Sequence, residues 1–192
     1  MDYWDIIWNE FKNGSSPAFE KIYYKYIDVL YRYGSKITTD KEIVKDAIQQ
    51  LFLELHSTRK NLTDPNNLEF YLLKALKRII IRQITDNIKY EQLHEKDIYT
   101  FKLELSFEDE LTKSETNESQ IELLKDMIQS LSSKKKELLF LKFYSGLKNE
   151  QIASLLELKP ATVQKQIYRT ILQLQIKFKD RIILLCVIQH KK

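Results

Sequence analysis

LKNEQIASLLELKPATVQKQIYR, residues 147–169, is the stretch that decides the fold, because its spacing predicts two short helices joined by a tight turn. Apolar residues line the inward side of the first helix, and the small Ala153 lets a second helix cross close to it. Leu158 fills the turn. Pro160 opens the second helix, since its fixed φ and missing N–H suit the first helical position. With Val163 and Ile167 packed inward, the pattern predicts a helix-turn-helix.

The outward face of the second helix carries donors and cations and no acidic residue: Thr162, Gln164, Lys165, Gln166, Tyr168 and Arg169. Such a face suits the DNA major groove, where base edges and phosphates accept these groups. An ordinary helical hairpin with a polar outer face is the alternative at this point.

Composition predicts an all-α protein of one or two small domains. The 192 residues are 43% hydrophobic, and only three Gly and three Pro interrupt the chain. Little strand-like alternation is present. The single cysteine, Cys186, excludes an internal disulfide and fits a reducing cytosol. The N-terminus has no signal-peptide pattern, and no apolar run approaches the roughly 20 residues of a membrane span. We therefore expect a cytoplasmic protein.

Charge is unevenly distributed along the chain. Residues 1–90 carry 14 basic and 12 acidic side chains, residues 91–122 carry 3 and 10, and residues 123–179 carry 11 and 4. The last thirteen residues carry 3 and 1. This pattern predicts two helical domains, 1–90 and 123–179, joined by an acidic linker over 91–122 and followed by a tail over 180–192.

The first domain begins with two predicted helices separated by Asn13-Gly14. Trp4, Ile7, Trp8 and Phe11 form the apolar stripe of the first. Ser16 is the predicted N-cap of the second and Pro17 its first residue. The stripe of the second helix consists of Phe19, Ile22, Tyr23, Tyr26, Leu30 and Tyr33.

A third helix is predicted over residues 41–56, capped by Asp40. Its buried side comprises Val44, Ala47, Ile48, Leu51 and Leu55. We expect Phe52 to be partly exposed beside Asp46, Gln49, Gln50 and Glu54, and this side of the helix would form a protein-docking surface. A solvated face with one stray aromatic residue is the alternative.

The loop after residue 56 precedes a fourth, basic helix over residues 68–90. Its core stripe is Leu72, Leu73, Leu76, Ile79, Ile80 and Ile84, and its other faces carry Lys74, Lys77, Arg78 and Arg82. With Phe70 and Tyr71 near its start, this helix could hold a single nucleic-acid strand by phosphate contacts and stacking. A merely soluble amphipathic surface is the alternative.

The motifs, in this order, resemble a two-domain alternative sigma factor of the extracytoplasmic-function group. DAIQQLFLELH, residues 46–56, resembles its polymerase-binding helix: Asp46, Gln49 and Phe52 match, while Gln50 replaces an acid and His56 a tryptophan. FYLLKALKRIIIRQI, residues 70–84, resembles its promoter-melting helix and is more basic than is typical. Residues 146–170 resemble its −35-binding motif.

Two residues of this last motif depart from the family pattern. Glu157 stands at the turn glycine, and a positive φ there would cost roughly 1 kcal/mol. Lys159 stands at the serine N-cap, which removes a cap worth about 1 kcal/mol and adds a phosphate-binding cation.

The resemblance implies three binding surfaces. Core RNA polymerase would contact Asp46, Gln49, Gln50 and Phe52. The melted −10 strand, with a flipped base in a pocket of the loop 57–67, would contact Arg59, Lys60, Asn61, Phe70, Tyr71, Lys74, Lys77, Arg78 and Arg82. The −35 duplex would contact Lys159, Thr162, Gln164, Lys165, Gln166, Tyr168 and Arg169.

The resemblance also assigns roles outside the two domains. In the family the linker threads polymerase channels, and a net charge of −7 over 91–122 suits a basic channel; a disordered spacer is the alternative. The tail contains IILLCVI, residues 182–188. It could pack on the protein's own domains, meet an inhibitory anti-sigma factor (membrane-bound or not), or touch a membrane surface.

No motif indicates catalysis, a cofactor, a metal site or a small-molecule substrate. His56, His94 and His190 are far apart in sequence, and Cys186 lies in an apolar run. Two other hypotheses stay open beside the sigma factor. One is a helix-turn-helix regulator that does not engage polymerase, and the other is a helical interaction protein without DNA binding.

Overall fold

The computed structural model describes residues 3–62, 65, 67–88, 100–103, 122 and 125–177, with the side chains of 87–88 and 175–177 excepted. All regular structure within these residues is helical, as the sequence predicted. The chain divides into two compact units, Met1–Thr100 and Phe101–Lys192. The predicted tail over 180–192 and most of the predicted linker over 91–122 lie outside the described residues.

Helices α1 (Tyr3–Lys12) and α2 (Ser16–Ile37) open the N-terminal unit. Gly14, at φ 95°, makes the turn between them. The predicted N-cap was wrong by one residue, because Ser15 holds the extended conformation and its Oγ accepts from the Ala18 N–H at 3.3 Å. Ser16 is already helical, and Pro17 occupies a first-turn position that needs no amide proton.

Helices α3 (Lys41–Thr58) and α4 (Leu68–Ile88) complete this unit, with a short 3₁₀ turn at Arg59–Asn61 between them. Asp40 caps α3 as predicted, its Oδ1 accepting from Glu42 N at 2.9 Å and Ile43 N at 3.3 Å. The Oδ1 of Asn67 accepts from Phe70 N at 2.9 Å and caps α4 in the same way.

The core of the N-terminal unit lies where α2, α3 and α4 meet. A Cβ added at Gly34 would come within 2.9 Å of Val44 Cγ1 and 3.2 Å of Ile80 Cδ1, so the glycine permits the close approach of three helices. The remaining predicted stripes are buried, except that Trp4, Phe19 and Ile84 are half-buried and Tyr23 is at the surface.

The C-terminal unit contains a helical stretch at 125–129 and three helices. These are α5 (Ser133–Leu139), which continues as a π-helical turn (Phe140–Tyr144), α6 (Asn149–Leu156) and α7 (Pro160–Lys177). Met127, Ile128, Leu131, Leu139 and Leu174 form one buried cluster, against which Leu103, Phe143 and Ile171 pack. The apolar stripe of the second helix of the helix-turn-helix therefore continues at least to Leu174.

Phe101 is also buried in the C-terminal unit, with its ring centroid 5.7 Å from that of Phe140. It lies within the range predicted as linker. An isolated aromatic residue in an acidic stretch carries no periodic signal, so sequence patterning did not identify it as core.

Candidate functional sites

The turn of the helix-turn-helix is built as the sequence predicted. Ile152, Ala153, Leu155 and Leu156 of α6 are buried, and so are Val163 and Ile167 of α7. Leu158 is half-buried, and its N–H donates to the carbonyl of Ala153 at 2.9 Å.

Glu157 occupies the left-handed region, at φ 54° and ψ 45°. Among the described residues it is the only non-glycine residue with a positive φ. The side chain contributes a steric cost of about 1 kcal/mol that glycine would not. The turn therefore keeps the backbone geometry of the glycine-containing motif without the glycine.

Lys159 immediately precedes α7, and its carbonyl accepts from Thr162 N at 2.9 Å and Val163 N at 3.1 Å. Its side chain is exposed and has no acceptor for the first-turn N–H groups. The positive end of the α7 helix dipole and the nearby Lys159 ammonium group together favour an anion such as a phosphate.

The predicted DNA-facing residues of α7 fall into two groups. Gln164, Lys165, Tyr168 and Arg169 are exposed, and their i, i+1, i+4, i+5 spacing places them along one side of the helix. Tyr168 is 66% exposed, which is unusual for a large aromatic side chain. Thr162 and Gln166 are half-buried on the flank. The exposed group forms a donor and cation surface two turns long, called here the α7 face.

The predicted exposure of Phe52 was wrong. Its side chain is only 4% exposed, with ring centroids 4.9 Å from Tyr23 and 6.0 Å from Phe19. Both covering residues belong to α2, so the burial of Phe52 comes from tertiary packing that the α3 sequence alone does not show. Phe52 joins α3 to α2 and offers little surface to a partner.

Leu53 takes the exposed position that was assigned to Phe52. It is 63% exposed and lies four residues after Gln49 and seven after Asp46, both of which are exposed. These three residues share one side of the helix, called here the α3 face. Counting seven residues from Asp46, or four from Gln49, would have identified Leu53 from the sequence.

Gln50, also predicted to contact polymerase, is half-buried and turned toward α4. Its Nε2 donates to Glu54 Oε1 at 2.8 Å, and its Oε1 accepts from Gln83 Nε2 at 3.3 Å. The amide thus connects the third and fourth helices rather than extending the α3 face.

The exposed side of α4 carries Tyr71, Lys74, Arg78 and Arg82 at steps of three, four and four, and this stripe is called here the α4 face. Lys74 Nζ lies 5.9 Å from the ring centroid of Phe70, which is half-buried. Lys77 is half-buried. The helix therefore brings three of its four predicted cations and one exposed aromatic residue together.

Glu54 of α3 faces two of these cations. Its carboxylate oxygens lie 3.9 Å from Arg78 Nη2 and 3.9 Å from Arg82 Nη2. Elsewhere on α3, the carboxylate of Glu42 accepts a hydrogen bond from Lys45 at 2.8 Å and raises the pKa of that ammonium group.

The three predicted contact residues of the loop 57–67 differ in their exposure. Arg59 is half-buried, and its Nη1 donates to the carbonyl of His56 at 2.8 Å, while its guanidinium lies beside Gly14. Lys60 and Asn61 are exposed. Arg59 therefore stabilises the end of α3 against the α1–α2 turn. Residues 63, 64 and 66 of the predicted base pocket lie outside the described residues.

Two kinds of feature are absent from the described residues. No group of three or more His, Cys, Asp or Glu side chains there could hold a metal ion. No helix there combines the length and the hydropathy of a membrane span.

Comparisons with known proteins identify the C-terminal unit and the fold. The family model of sigma-70, region 4, matches residues 121–174. No curated protein matches the chain by sequence. The sigma factor RpoE of Bartonella quintana, solved in complex with the anti-sigma factor NepR, is 14% identical with a TM-score of 0.58; the match covers 85% of this chain and 98% of that one.

A second structure, CnrH in complex with the cytosolic domain of CnrY, is 13% identical with a TM-score of 0.57, and covers 93% of this chain and 98% of that one. At these identities the structures establish the fold alone. Together with the family match, they confirm the resemblance drawn from the motifs: residues 121–174 match the model of sigma-70, region 4, and the chain shares the all-helical fold of the compared sigma factor.

Proposed function

We propose that the protein is an alternative sigma factor of the extracytoplasmic-function group, which joins core RNA polymerase in the cytoplasm and directs it to promoters. The observation that carries this proposal is the exposed α7 face inside a matched region 4 domain. The basic α4 face in the other unit supports it, because a protein that only binds duplex DNA has no need of a second nucleic-acid surface.

The α7 face is the proposed −35 contact. Lys165 and Arg169 supply cations one turn apart, and Gln164 and Tyr168 supply hydrogen-bonding groups beside them. In a major groove, cations at phosphates set the register and donors at base edges read the sequence. Lys159 and the start of α7 bind the flanking phosphate, while the half-buried Thr162 and Gln166 contact the groove edge.

The α4 face is the proposed contact for the melted −10 strand. Lys74, Arg78 and Arg82 follow the phosphates, and Tyr71 offers a ring on which a base can stack. The proposed contact also includes Phe70 and Lys77 of α4 and the exposed Lys60 and Asn61 of the loop, which Arg59 positions. A base flipped out of the duplex costs a few kcal/mol, which stacking and phosphate contacts offset.

The α3 face is the proposed polymerase contact. Leu53 supplies an exposed apolar centre, and Asp46 and Gln49 supply a polar rim on the same side of the helix. An apolar anchor surrounded by polar groups is the usual composition of an interface hot spot. Phe52 acts beneath this surface, by fixing α3 to α2.

An anti-sigma factor is the proposed inhibitory partner. Both structures compared above are complexes, one of them with a named anti-sigma factor and the other with the cytosolic domain of CnrY. A partner of this kind would cover the polymerase or promoter surfaces of the free protein.

A helix-turn-helix regulator that does not engage polymerase is the second candidate. It is favoured by one observation, namely that the family match lies in the C-terminal unit alone. Co-purification of the tagged full-length chain with core polymerase distinguishes the two. A stoichiometric complex supports the sigma factor, and promoter binding without polymerase binding supports the regulator.

A further inference from the structure

Glu54 of α3 is an acidic residue that lies beside the α4 face, where α3 packs against α4. Its Oε2 lies 3.9 Å from Arg78 Nη2 and its Oε1 lies 3.9 Å from Arg82 Nη2. Arg78 and Arg82 are four residues apart, so one carboxylate placed between them reaches both guanidinium groups. The sites proposed above give this carboxylate no role.

The position of Glu54 is fixed by neutral neighbours. Gln50, one turn earlier on α3, donates to Glu54 Oε1 at 2.8 Å, and Gln83 of α4 donates to Gln50 Oε1 at 3.3 Å. The carboxylate is thus held against α4 by an amide chain that links the two helices. A side chain held in this way keeps its charge near the two arginines, where an unconstrained surface glutamate would move away.

The contacts between Glu54 and the arginines are of a kind that can be exchanged. At 3.9 Å the charges attract, but the separation is too long for a direct hydrogen bond. The arginine side chains are 76% and 54% exposed, so solvent screens the pairs and each contributes little to stability. A phosphate oxygen that approaches Arg78 or Arg82 can therefore replace the carboxylate at small cost.

We propose that Glu54 is an internal competitor for the nucleic-acid phosphates on the α4 face. It lowers the affinity of Arg78 and Arg82 for any single strand, so that a strand is retained only when further contacts, such as base stacking or capture of a flipped base, add to the phosphate attraction. This inference rests on the proposed function, because it takes the α4 face to be a single-strand contact. Its consequence is selectivity, since it penalises binding through charge alone.

The test compares Glu54→Gln with a second variant that also removes one negative charge from α3. Glu54→Gln keeps the shape of the side chain and an oxygen that can accept from Gln50. Glu42→Gln is the matched control, because Glu42 also lies exposed on α3 and pairs with a lysine, Lys45, at 2.8 Å. The two glutamates are twelve residues apart, or about 18 Å along the helix.

The full-length proteins are titrated against a labelled single-stranded oligonucleotide and against a duplex of the same sequence at several salt concentrations. We expect Glu54→Gln to bind the single strand about three- to tenfold more tightly than Glu42→Gln at low salt, with equal duplex affinities. The difference should shrink as salt rises. Adding Arg78→Ala and Arg82→Ala to Glu54→Gln should remove the gain.

Each outcome has a definite meaning. Equal single-strand affinities of Glu54→Gln and Glu42→Gln overturn the inference. If Arg78→Ala with Arg82→Ala still weakens binding in that case, the proposed single-strand contact stands. Single-strand binding that survives the loss of both arginines overturns the proposed contact and the inference with it.

Discussion

The two basic faces of this protein differ in what lies opposite them. The α7 face belongs to a helix with no acidic residue anywhere between 160 and 177. The α4 face has the Glu54 carboxylate 3.9 Å from two of its arginines. A −35 duplex is present before polymerase arrives, whereas a −10 single strand forms only when the promoter opens. On the proposed function, the α7 face therefore suits a duplex that is met first, and the α4 face, with Glu54 beside it, suits a strand that adds further contacts to the phosphate attraction.

On the N-terminal side of this comparison, Phe52 packs α3, the helix that carries Glu54, against α2. Phe52→Ala should lower the free energy of unfolding of this unit by about 3–5 kcal/mol, because it removes a buried aromatic side chain. Urea denaturation followed by circular dichroism measures the loss.

Leu53→Ala is the matched control for this change, and we expect it to alter the free energy of unfolding by less than about 0.5 kcal/mol. Equal urea midpoints for the two variants would show that Phe52 is not the residue that holds α3 in place.

The C-terminal side of the comparison is tested by Lys165→Ala combined with Arg169→Ala. Loss of both cations of the α7 face should weaken −35 duplex binding about 10- to 100-fold, and the salt dependence of binding should become shallower. Fluorescence anisotropy with the full-length protein measures both. Lys134→Ala, which removes an exposed cation of the same unit outside α7, should weaken binding much less. An equal effect of Lys134→Ala would mean that charge alone, rather than this face, binds the duplex.

The α3 face, the proposed polymerase contact, is tested by Leu53→Ala. We expect the affinity for core polymerase to fall about five- to tenfold, as for the truncation of an apolar anchor. Ile6→Ala, which truncates an exposed aliphatic side chain of α1 outside the α3 face, serves as the control in a polymerase pull-down or by biolayer interferometry. If the stably folded Leu53→Ala protein bound core polymerase with unchanged affinity, the α3 face would not be part of the interface.

The smallest expected effect concerns the turn that aims α7. Glu157→Gly should raise the free energy of unfolding of the C-terminal unit by up to about 1 kcal/mol, because glycine adopts φ 54° without steric cost. Gln164→Gly, within the helix, should lower it by about the same amount. Thermal denaturation compares the two, and a lower melting temperature for Glu157→Gly would contradict the turn geometry described above.

The parts of the molecule that follow local rules were predictable from the sequence. The helix-turn-helix is one such part, since Ala153, Val163 and Ile167 are placed by spacing within two short helices. The Asp40 cap is another, because it depends only on the next three residues. Ser15 was missed because two adjacent serines satisfy the capping preference equally, and the preceding glycine turn selects between them.

The features set by contacts between distant segments were not predictable in this way. Phe52 is buried because residues 19 and 23 of another helix cover it, and the α3 pattern contains no sign of them. Glu54 appeared as an ordinary surface acid until α4 placed Arg78 and Arg82 beside it. Phe101 likewise is a core residue through contacts with a distant segment, one of them with Phe140.

Transcription from a genomic promoter library, with core polymerase and the full-length protein, tests the central claim most directly. Promoters that respond are then probed with permanganate for unpaired thymines. The sigma factor function predicts transcripts that require both components, with thymines reactive near −10 in the wild-type complex and less reactive after Arg78→Ala with Arg82→Ala. Transcripts and thymine reactivity no greater than with core polymerase alone would contradict it.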